Sequence, residues 1–224
     1  MLLQMIRRLR KDLTNHGERV DIDLSAGICD FESLDMYQRS HYRRYEFACS
    51  LLAPDMLVGD FASGTGYGTA MMSQVARHAY GCDMDPSAIK AAKKRYRSLD
   101  NLTFVQGDML CLRALPSLDV VVSFETIEHF PEEVLPTLFG VFRRALVPAG
   151  RLILSTPYMQ ERSPQALKMG FHLTFEIDEN RIQQWLSRSG FVVEAIRYQN
   201  YETHSIADRL DKKDFLVCIS RKKQ

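Results

Sequence analysis

Short apolar runs alternate with helical hydrophobic periods along most of this chain. The runs are typical of buried strands and fall at 57–60, 79–82, 102–105, 118–124, 151–155, 191–198 and 215–220. Helical periods occupy 34–52, 70–77, 87–96, 131–146 and 179–189. Strands that alternate with helices form a parallel sheet with helices on both faces. The pattern therefore predicts an α/β fold with a doubly wound, mostly parallel sheet of seven strands.

The last two apolar runs are connected differently from the others. The stretch 200–214 between them is polar and contains no long helical period. A parallel connection needs a crossover, usually a helix, whereas antiparallel strands can be joined by a turn or loop. We therefore expect these two strands to form an antiparallel hairpin at one edge of the sheet.

The chain before residue 35 differs from the rest. Residues 1–13 place apolar side chains near one helical face, at Leu2, Leu3, Ile6, Leu9 and Leu13. Residues 14–33 are polar and irregular, as in a loop or a lid. We predict two units: 1–34, an N-terminal helix and lid segment, and 35–224, the α/β domain. The helix is expected to pack on the domain or on a second copy in a homodimer, with a partner-docking or membrane-surface role as the weaker alternative.

Composition narrows the classes of partner. The 224 residues suit one hydrophobic core, and 29 basic residues nearly balance 28 acidic ones, so no global charge favours nucleic acid, although a local site is not excluded. Five cysteines without a C-x-x-C pair are typical of reduced thiols. No apolar run reaches the roughly 20 residues of a membrane span. These features predict a cytoplasmic protein.

Glycine is concentrated directly after the first apolar run. Gly64, Gly66 and Gly68 follow Asp60 and predict a strand that turns sharply into a helix. Glycine accepts positive φ and lets a ligand approach the backbone closely. Asp83 ends the next run about 20 residues later, where nucleotide-binding α/β units place an acid against ribose hydroxyls. Together these features predict a nucleoside pocket at the strand ends.

The glycine spacing is not that of a dinucleotide-binding loop. Such a loop reads G-x-G-x-x-G without a carboxylate before it, because it holds a pyrophosphate. Here the spacing is G-x-G-x-G, and the preceding Asp60 favours a ligand with positive charge. The segment 57–69 resembles motif I of the class I S-adenosylmethionine-dependent methyltransferases, whose donor carries a sulfonium, an ammonium and a ribose. The resemblance covers roughly residues 35–220 and implies the Rossmann-like methyltransferase fold.

The resemblance also implies which residues bind the donor, S-adenosyl-L-methionine. Asp83 would hold the ribose, Asp108 would accept from the exocyclic amine of adenine, and the Met109 N–H would meet the ring. The implied donor set lies at the ends of the first four strands. It consists of Asp60, Ala62, Gly64, Gly66, Asp83, Met84, Asp108, Met109, Phe124 and Glu125.

The acceptor side is predicted from aromatic and histidine residues. The stretch 41–48 resembles a helix that lies across the methionine end of the donor in many small methyltransferases of this class. Tyr37, His41, Arg44 and Tyr45 are spaced to share one face of that helix. Aromatic packing with solvated arginines is the alternative role for them. The predicted substrate pocket consists of Tyr37, His41, Tyr45, Tyr67, Tyr158 and His172.

The end of the fourth strand indicates the acceptor chemistry. Amino-group methyltransferases of this class often carry Asn/Asp-Pro-Pro-Tyr/Phe there, and this chain instead has Glu125, Glu128 and His129 in the sequence 125–129. Loss of that carbonyl clamp favours a hydroxyl acceptor. His129 or His172 is the candidate general base, and Glu125 completes the predicted catalytic set.

The same residues also suggest a metal site. If a helical turn began at Glu125, Glu128 and His129 would lie on the same face of the turn as Glu125. With the distant His172 they would resemble the divalent-cation site of small-RNA 2′-O-methyltransferases, and related segments occur in ubiquinone-biosynthesis O-methyltransferases. The paired later histidines of the first family are not reproduced here. We therefore favour a metal-free site in which one histidine takes the proton, with the four-residue cation site as the alternative.

Three functions remain in consideration. The leading hypothesis is methyl transfer to a hydroxyl of a small molecule or glycan. The second is metal-assisted methylation of an RNA ribose. It predicts a local basic groove, for which the only obvious candidates are Arg43, Arg44, Arg162 and Lys168. The third is a non-catalytic, donor-binding partner subunit. The glycine spacing argues against a dehydrogenase.

Overall fold

The computed structural model describes residues 20–24, 29–111, 115–170 and 172–224. The predicted 1–13 helix therefore lies outside the described residues, as do residues 14–19 and 25–28 of the predicted 14–33 loop or lid. The helices are α1 Met36–Cys49, α2 Tyr67–Ser73, α3 Pro86–Arg95, α4 Leu135–Ala145, α5 Pro164–Met169 and α6 Glu179–Arg188. The strands are β1 Leu57–Phe61, β2 His78–Asp83, β3 Leu102–Gln106, β4 Leu118–Phe124, β5 Leu146–Pro157, β6 Phe191–Gln199, β7 Ile206–Ala207 and β8 Phe215–Lys222. Among these helices, none is both long and apolar enough to cross a membrane.

The strands form one sheet in the order β3-β2-β1-β4-β5-β8-β6-β7. β1 to β5 pair in parallel, whereas β8 is antiparallel to both β5 and β6. The predicted α/β class and antiparallel edge are confirmed. The predicted count of seven strands is wrong, because Ile206–Ala207 forms an eighth, antiparallel to the end of β6. A strand of two residues is too short to leave an apolar run in a polar stretch.

Two other elements differ from the pattern. A 3₁₀ turn at Glu132–Val134 takes up the start of the predicted 131–146 helix, so α4 begins only at Leu135, with Pro136 in its first turn. The short helix α5 was not predicted. Six residues complete less than two turns, so its hydrophobic period is too brief to recognise.

The sheet has a hydrophobic core on each face, as expected of a doubly wound fold. Along β4, Val121 packs into one core with α4 and α6, whereas Val120 and Val122 pack into the other with α1, α2 and α3. Alternate side chains of a strand point to opposite faces, so β4 contributes to both cores. This burial explains the nearly continuous apolar run at 118–124.

The strand order also sets the position of a ligand. The chain runs outward from β1 to β3 on one side and continues from β4 on the other. β1 and β4 are therefore adjacent strands at which the order reverses. In open α/β sheets, ligands bind beyond the carboxyl ends of the strands at this switch point.

Candidate active site

The glycine-rich loop at the end of β1 has the backbone that its sequence predicts. Ala62, Gly64 and Gly66 all have positive φ, at 66°, 53° and 84°. The N–H groups of Ala62 and Ser63 both donate to the Cys82 carbonyl, at 2.9 and 3.0 Å. These bonds hold the loop against β2. Gly66 is the N-cap of α2 and has no side chain to cap the helix. The first turn of α2 therefore begins directly after the loop, at the carboxyl ends of the strands.

Asp83 joins the loop to the end of β2. Its Oδ2 accepts from the Gly64 N–H at 2.8 Å, and its Oδ1 accepts from the Asp85 N–H at 2.8 Å. The residue is only 9% exposed. Each carboxylate oxygen has further acceptor capacity, which suits the two hydroxyls of a ribose.

The predicted adenine residues lie beside Asp83. The Gly107 N–H donates to the Asp83 carbonyl at 2.9 Å, which brings the end of β3 against that of β2. Asp108 Oδ1 accepts from the Leu110 N–H at 3.0 Å, so a short turn orients this carboxylate. Met84 is 37% exposed and Met109 is half-buried. A polar and an apolar surface thus adjoin at these strand ends.

Asp60 is the most deeply buried acid of the site. It is 0% exposed and accepts from Thr69 Oγ1 at 2.6 Å and from the Tyr45 hydroxyl at 3.1 Å. Desolvation raises the pKa of Asp60 to about 7, although these two hydrogen bonds oppose the rise. A cationic ligand nearby would favour the ionised form.

This pKa gives a prediction for stability. The unfolded pKa is near 3.8, so the carboxylic acid stabilises the fold fully below pH 3.8, and the contribution is lost as pH rises through about 7. Relative to Asp60→Asn, the free energy of unfolding should fall by about 3 kcal/mol between pH 4 and 7, since each pKa unit corresponds to about 1.4 kcal/mol and the slope is smaller near both pKa values. Urea unfolding of both proteins across this range measures the difference. A constant difference would contradict the raised pKa.

Aromatic rings from α1 and α2 close one side of the site. His41, Tyr45, Tyr67 and Phe124 form a cluster with ring centroids 5.0 to 6.5 Å apart. His41 Nδ1 is hydrogen-bonded to the Tyr67 hydroxyl. Burial, and secondarily the Arg44 charge, lowers the pKa of His41 well below 6.5, so the imidazole is neutral at pH 7. The cluster supplies an apolar wall rather than a charged one.

Two residues of the predicted pocket lie away from this cluster. Tyr37 is 68% exposed and contacts Tyr201, with centroids 5.0 Å apart. Tyr158 donates to Glu179 at 3.1 Å, and its N–H donates to the Asp214 carbonyl at 2.9 Å. Both therefore lie against the loop or strand ends near residues 200–214. The structure thus places Tyr37 and Tyr158 beside the segment that connects β6 to β8.

Glu125 is held in an unusual conformation directly after β4. Its φ is 46°, which is uncommon for a residue with a side chain. Its N–H donates to the Ser155 carbonyl at 3.1 Å, and Ser155 Oγ donates to its Oε1 at 2.7 Å. Arg44 Nη1 lies 3.7 Å from the same oxygen. These contacts fix the carboxylate at the switch point.

Sequence reasoning missed the burial of Arg44. The residue is 2% exposed, donates to Gln199 Oε1 at 3.1 Å and lies over the Phe215 ring at 4.3 Å. The available signal was its place on the same helical face as His41 and Tyr45. Arg44 therefore supports the site from inside and is not part of a solvent-facing basic surface.

Glu128, His129 and His172 come together at the turn that follows β4. One possible ligand atom from each lies within 4.8 Å of the others, and the two imidazole centroids are 5.0 Å apart. Glu125 does not belong to this group. The expected helical turn is absent, because its positive φ interrupts the chain before a separate 3₁₀ turn at Ile127–His129. Only three of the four residues of the predicted cation site are thus assembled.

Sequence and structure comparisons agree with this architecture. A family model described as a methyltransferase domain matches residues 58–150. A probable S-adenosylmethionine-dependent methyltransferase of Mycolicibacterium smegmatis is 31% identical over 160 residues, 68% of this chain and 60% of the relative. A second probable S-adenosylmethionine-dependent methyltransferase, from Mycobacterium tuberculosis, is 30% identical over 187 residues. The match covers 80% of this chain and 62% of that relative. This chain thus spans about three fifths of the length of these curated relatives.

A solved structure extends the likeness over nearly the whole fold. The N-methyltransferase NodS of Bradyrhizobium japonicum, in complex with S-adenosyl-L-homocysteine, superposes with a TM-score of 0.67. The two chains are 14% identical, and the superposition covers 97% of this chain and 98% of NodS. At this identity the likeness concerns the fold alone.

The switch-point loop and the sheet order define a Rossmann-like fold, and the acids at the strand ends lie where such folds bind nucleoside-containing ligands. With the family and sequence matches, this chain belongs to the class I S-adenosylmethionine-dependent methyltransferases. S-adenosyl-L-methionine is the cofactor of the class.

Proposed function

We propose that this chain transfers the sulfonium methyl group of S-adenosylmethionine to a hydroxyl of a small molecule or glycan. The observation that carries the proposal is the Asp83 carboxylate. It is bonded to the glycine loop on one side and to the β2–α3 turn on the other. That arrangement preorganises a ribose acceptor beside the switch point, where donor binding is expected.

The strand order supports one orientation of the donor in the proposed pocket. Adenosine is assigned to Asp83 and Asp108, at the ends of β2 and β3. The methionine end then extends toward β1 and β4, where Asp60, Glu125 and the aromatic cluster lie. Asp60 and Glu125 supply carboxylates, and Arg44 supplies a cation within 3.7 Å of Glu125. Opposite charges at this end suit the ammonium and carboxylate of the donor's amino acid.

Methyl transfer then requires positioning more than acid–base chemistry. A lone pair of the acceptor oxygen attacks the methyl carbon, the carbon–sulfur bond breaks, and its electrons remain on sulfur as a neutral thioether. The acceptor proton must leave the oxygen. We assign that task to the acceptor side beyond β4, where His129 and His172 lie, and we assign water exclusion to the aromatic cluster.

The described part of the N-terminal segment suits the predicted lid. Asp21 accepts from Thr65 Oγ1 of the glycine loop at 2.5 Å and from Arg95 of α3 at 2.6 Å. Its carbonyl also accepts from Gln38 of α1 at 2.8 Å. Residues 20–24 thus connect the loop to two helices. We assign them to a cover over the donor loop that packs on the 35–224 domain, because Ile22 and Leu24 are buried in the core with α1, α2 and α3.

The RNA alternative has less support. Of its four basic candidates, Arg44 is buried and Arg43 pairs with Glu46 at 2.5 Å. Phosphate binding needs several accessible cations on one surface. The small-molecule or glycan acceptor therefore remains the proposal.

The test is transfer of a radiolabelled methyl group to a panel of phenols, sugars and matched amines. We expect label in hydroxyl compounds and formation of S-adenosylhomocysteine. At donor concentrations below saturation, Asp83→Ala should transfer the label about 10- to 100-fold more slowly. Label only in the amines would contradict the acceptor assignment. Donor binding without any transfer, across acceptors of both kinds, would favour the partner-subunit alternative.

A further inference from the structure

The cluster of Glu128, His129 and His172 joins two distant parts of the chain. The first two residues lie in the 3₁₀ turn after β4, and His172 lies in the segment after α5. The N–H groups of Leu173 and Thr174 both donate to the Glu128 carbonyl, at 2.7 and 3.0 Å. These backbone bonds clip the His172 segment to the turn. The three side chains are therefore brought together by the fold, not by a chance approach of flexible groups.

Neighbouring polar groups orient two of the three side chains. His172 Nδ1 is hydrogen-bonded to Gln160 Oε1. An amide oxygen only accepts, so Nδ1 carries the proton in this pair and Nε2 is the basic nitrogen. Thr156 Oγ1 donates to Glu128 Oε2 at 3.0 Å. Histidine ligands of metals are oriented in this way, by a hydrogen bond from the nitrogen that does not bind the ion.

The donor set selects the class of ion. Two imidazoles and one carboxylate suit zinc and other first-row transition metals, whereas magnesium prefers oxygen ligands. Zinc bonds to nitrogen and oxygen are about 2.0 to 2.2 Å long, so ligand atoms around one ion lie within about 4.4 Å of each other. The ligand atoms here are within 4.8 Å. Small side-chain rotations therefore suffice to close the site.

We infer that Glu128, His129 and His172 bind one divalent transition-metal ion, with zinc as the best match. Glu128 is buried, whereas both histidines are half-buried and therefore partly accessible to an ion from solvent. Three protein ligands leave at least one coordination position open, as in catalytic rather than structural zinc sites. If the proposed function also holds, such an ion would lower the pKa of an acceptor hydroxyl beside the donor. That consequence, unlike ion binding itself, rests on the proposed function.

Calorimetric titration with zinc, and with cobalt followed by its visible absorption, tests the inference on chelator-treated protein. We expect one ion per chain, no competition from equimolar magnesium, and a weakening of at least tenfold in His172→Ala. Gln160→Leu should also weaken the ion by about 10- to 100-fold, because it removes the group that orients His172. The matched control is His78→Ala. His78 begins β2, at the amino ends of the parallel strands, whereas the cluster follows the carboxyl end of β4, so this variant should bind zinc as the parent does.

Folding and activity are controlled separately. Glu128→Gln and His129→Ala should keep their affinity for S-adenosylhomocysteine while losing the ion. Absence of stoichiometric zinc or cobalt binding in the parent protein, or unchanged binding in His172→Ala and Glu128→Gln, would overturn the inference. Ion binding without methyl transfer would leave it standing and defeat the proposed function instead. Full turnover in chelator, lost in His129→Ala or His172→Ala, would show that an imidazole and not an ion serves the acceptor.

Discussion

Asp83→Ala is expected to weaken donor binding by about 10- to 100-fold. Hydrogen bonds to a charged carboxylate contribute about 1.5 to 3 kcal/mol, and each 1.4 kcal/mol is a factor of ten in affinity. The substitution removes the proposed ribose acceptor and also frees the Gly64 and Asp85 N–H groups that Asp83 now holds. Calorimetry with S-adenosylhomocysteine measures the loss.

Two further variants separate these contributions. Asp83→Asn keeps one acceptor oxygen and should fall between Asp83→Ala and the parent. Asp100→Ala alters an exposed acid just before β3, at the amino ends of the strands and thus far from the carboxyl end where Asp83 lies, and should bind the donor normally. Unchanged donor affinity in a folded Asp83→Ala protein would show that the pocket lies elsewhere.

Gly66→Ala is expected to destabilise the fold by about 2 to 5 kcal/mol, in addition to any loss of donor binding. A left-handed conformation costs a residue with a side chain about 1 to 2 kcal/mol, and overpacking a core costs about 1 to 3 kcal/mol. Gly66 has φ 84°, and an added Cβ would lie 2.4 Å from the Phe104 ring and 3.1 Å from Ala92 Cβ. Denaturant unfolding measures the change.

Gly170→Ala is the matched control for the backbone conformation. Gly170 has φ 73°, and a Cβ added there meets nothing within 4 Å. It should show the conformational cost alone, about 1 to 2 kcal/mol. Equal losses in the two variants would mean that Phe104 moves aside and that packing against the loop contributes little.

Gly66 also shows where sequence reasoning about the site falls short. From the sequence, a side chain at Gly64 or Gly66 is expected to collide with the ligand or to force an unfavourable φ, and to reduce affinity more than stability. For Gly66, the nearest obstacle is instead the Phe104 ring of β3. The motif identifies the loop, but the aromatic residue that packs under it lies about 40 residues away and follows no local spacing rule.

The alternating apolar runs predict the fold because buried strands and amphipathic helices have different periods. That rule locates β4 at 118–124 without error. It misses β7 and α5, whose few residues show no period, and it places the start of β5 at 151, whereas the strand begins at Leu146. The presence of a long helix or strand is thus easier to predict than the residues at which it begins and ends.

The grouping of the acceptor-side residues depends on one backbone angle. A helical turn from Glu125 would have joined it to Glu128 and His129, but its φ of 46° separates it from them. Glu125 then contacts Arg44 and Ser155, which come from α1 and β5. No local pattern shows that a residue with a side chain adopts this conformation, because the cause is tertiary.

Thermal unfolding with S-adenosylmethionine, S-adenosylhomocysteine and NAD tests the central claim most directly. A ligand at 100 times its Kd stabilises the folded state by about 2.7 kcal/mol, and each kcal/mol raises the Tm of a domain of this size by about 2 to 4 °C. We predict increases of about 5 to 10 °C with S-adenosylmethionine and with S-adenosylhomocysteine, and none with NAD. An increase with NAD alone would contradict the assignment of the pocket to a sulfonium methyl donor.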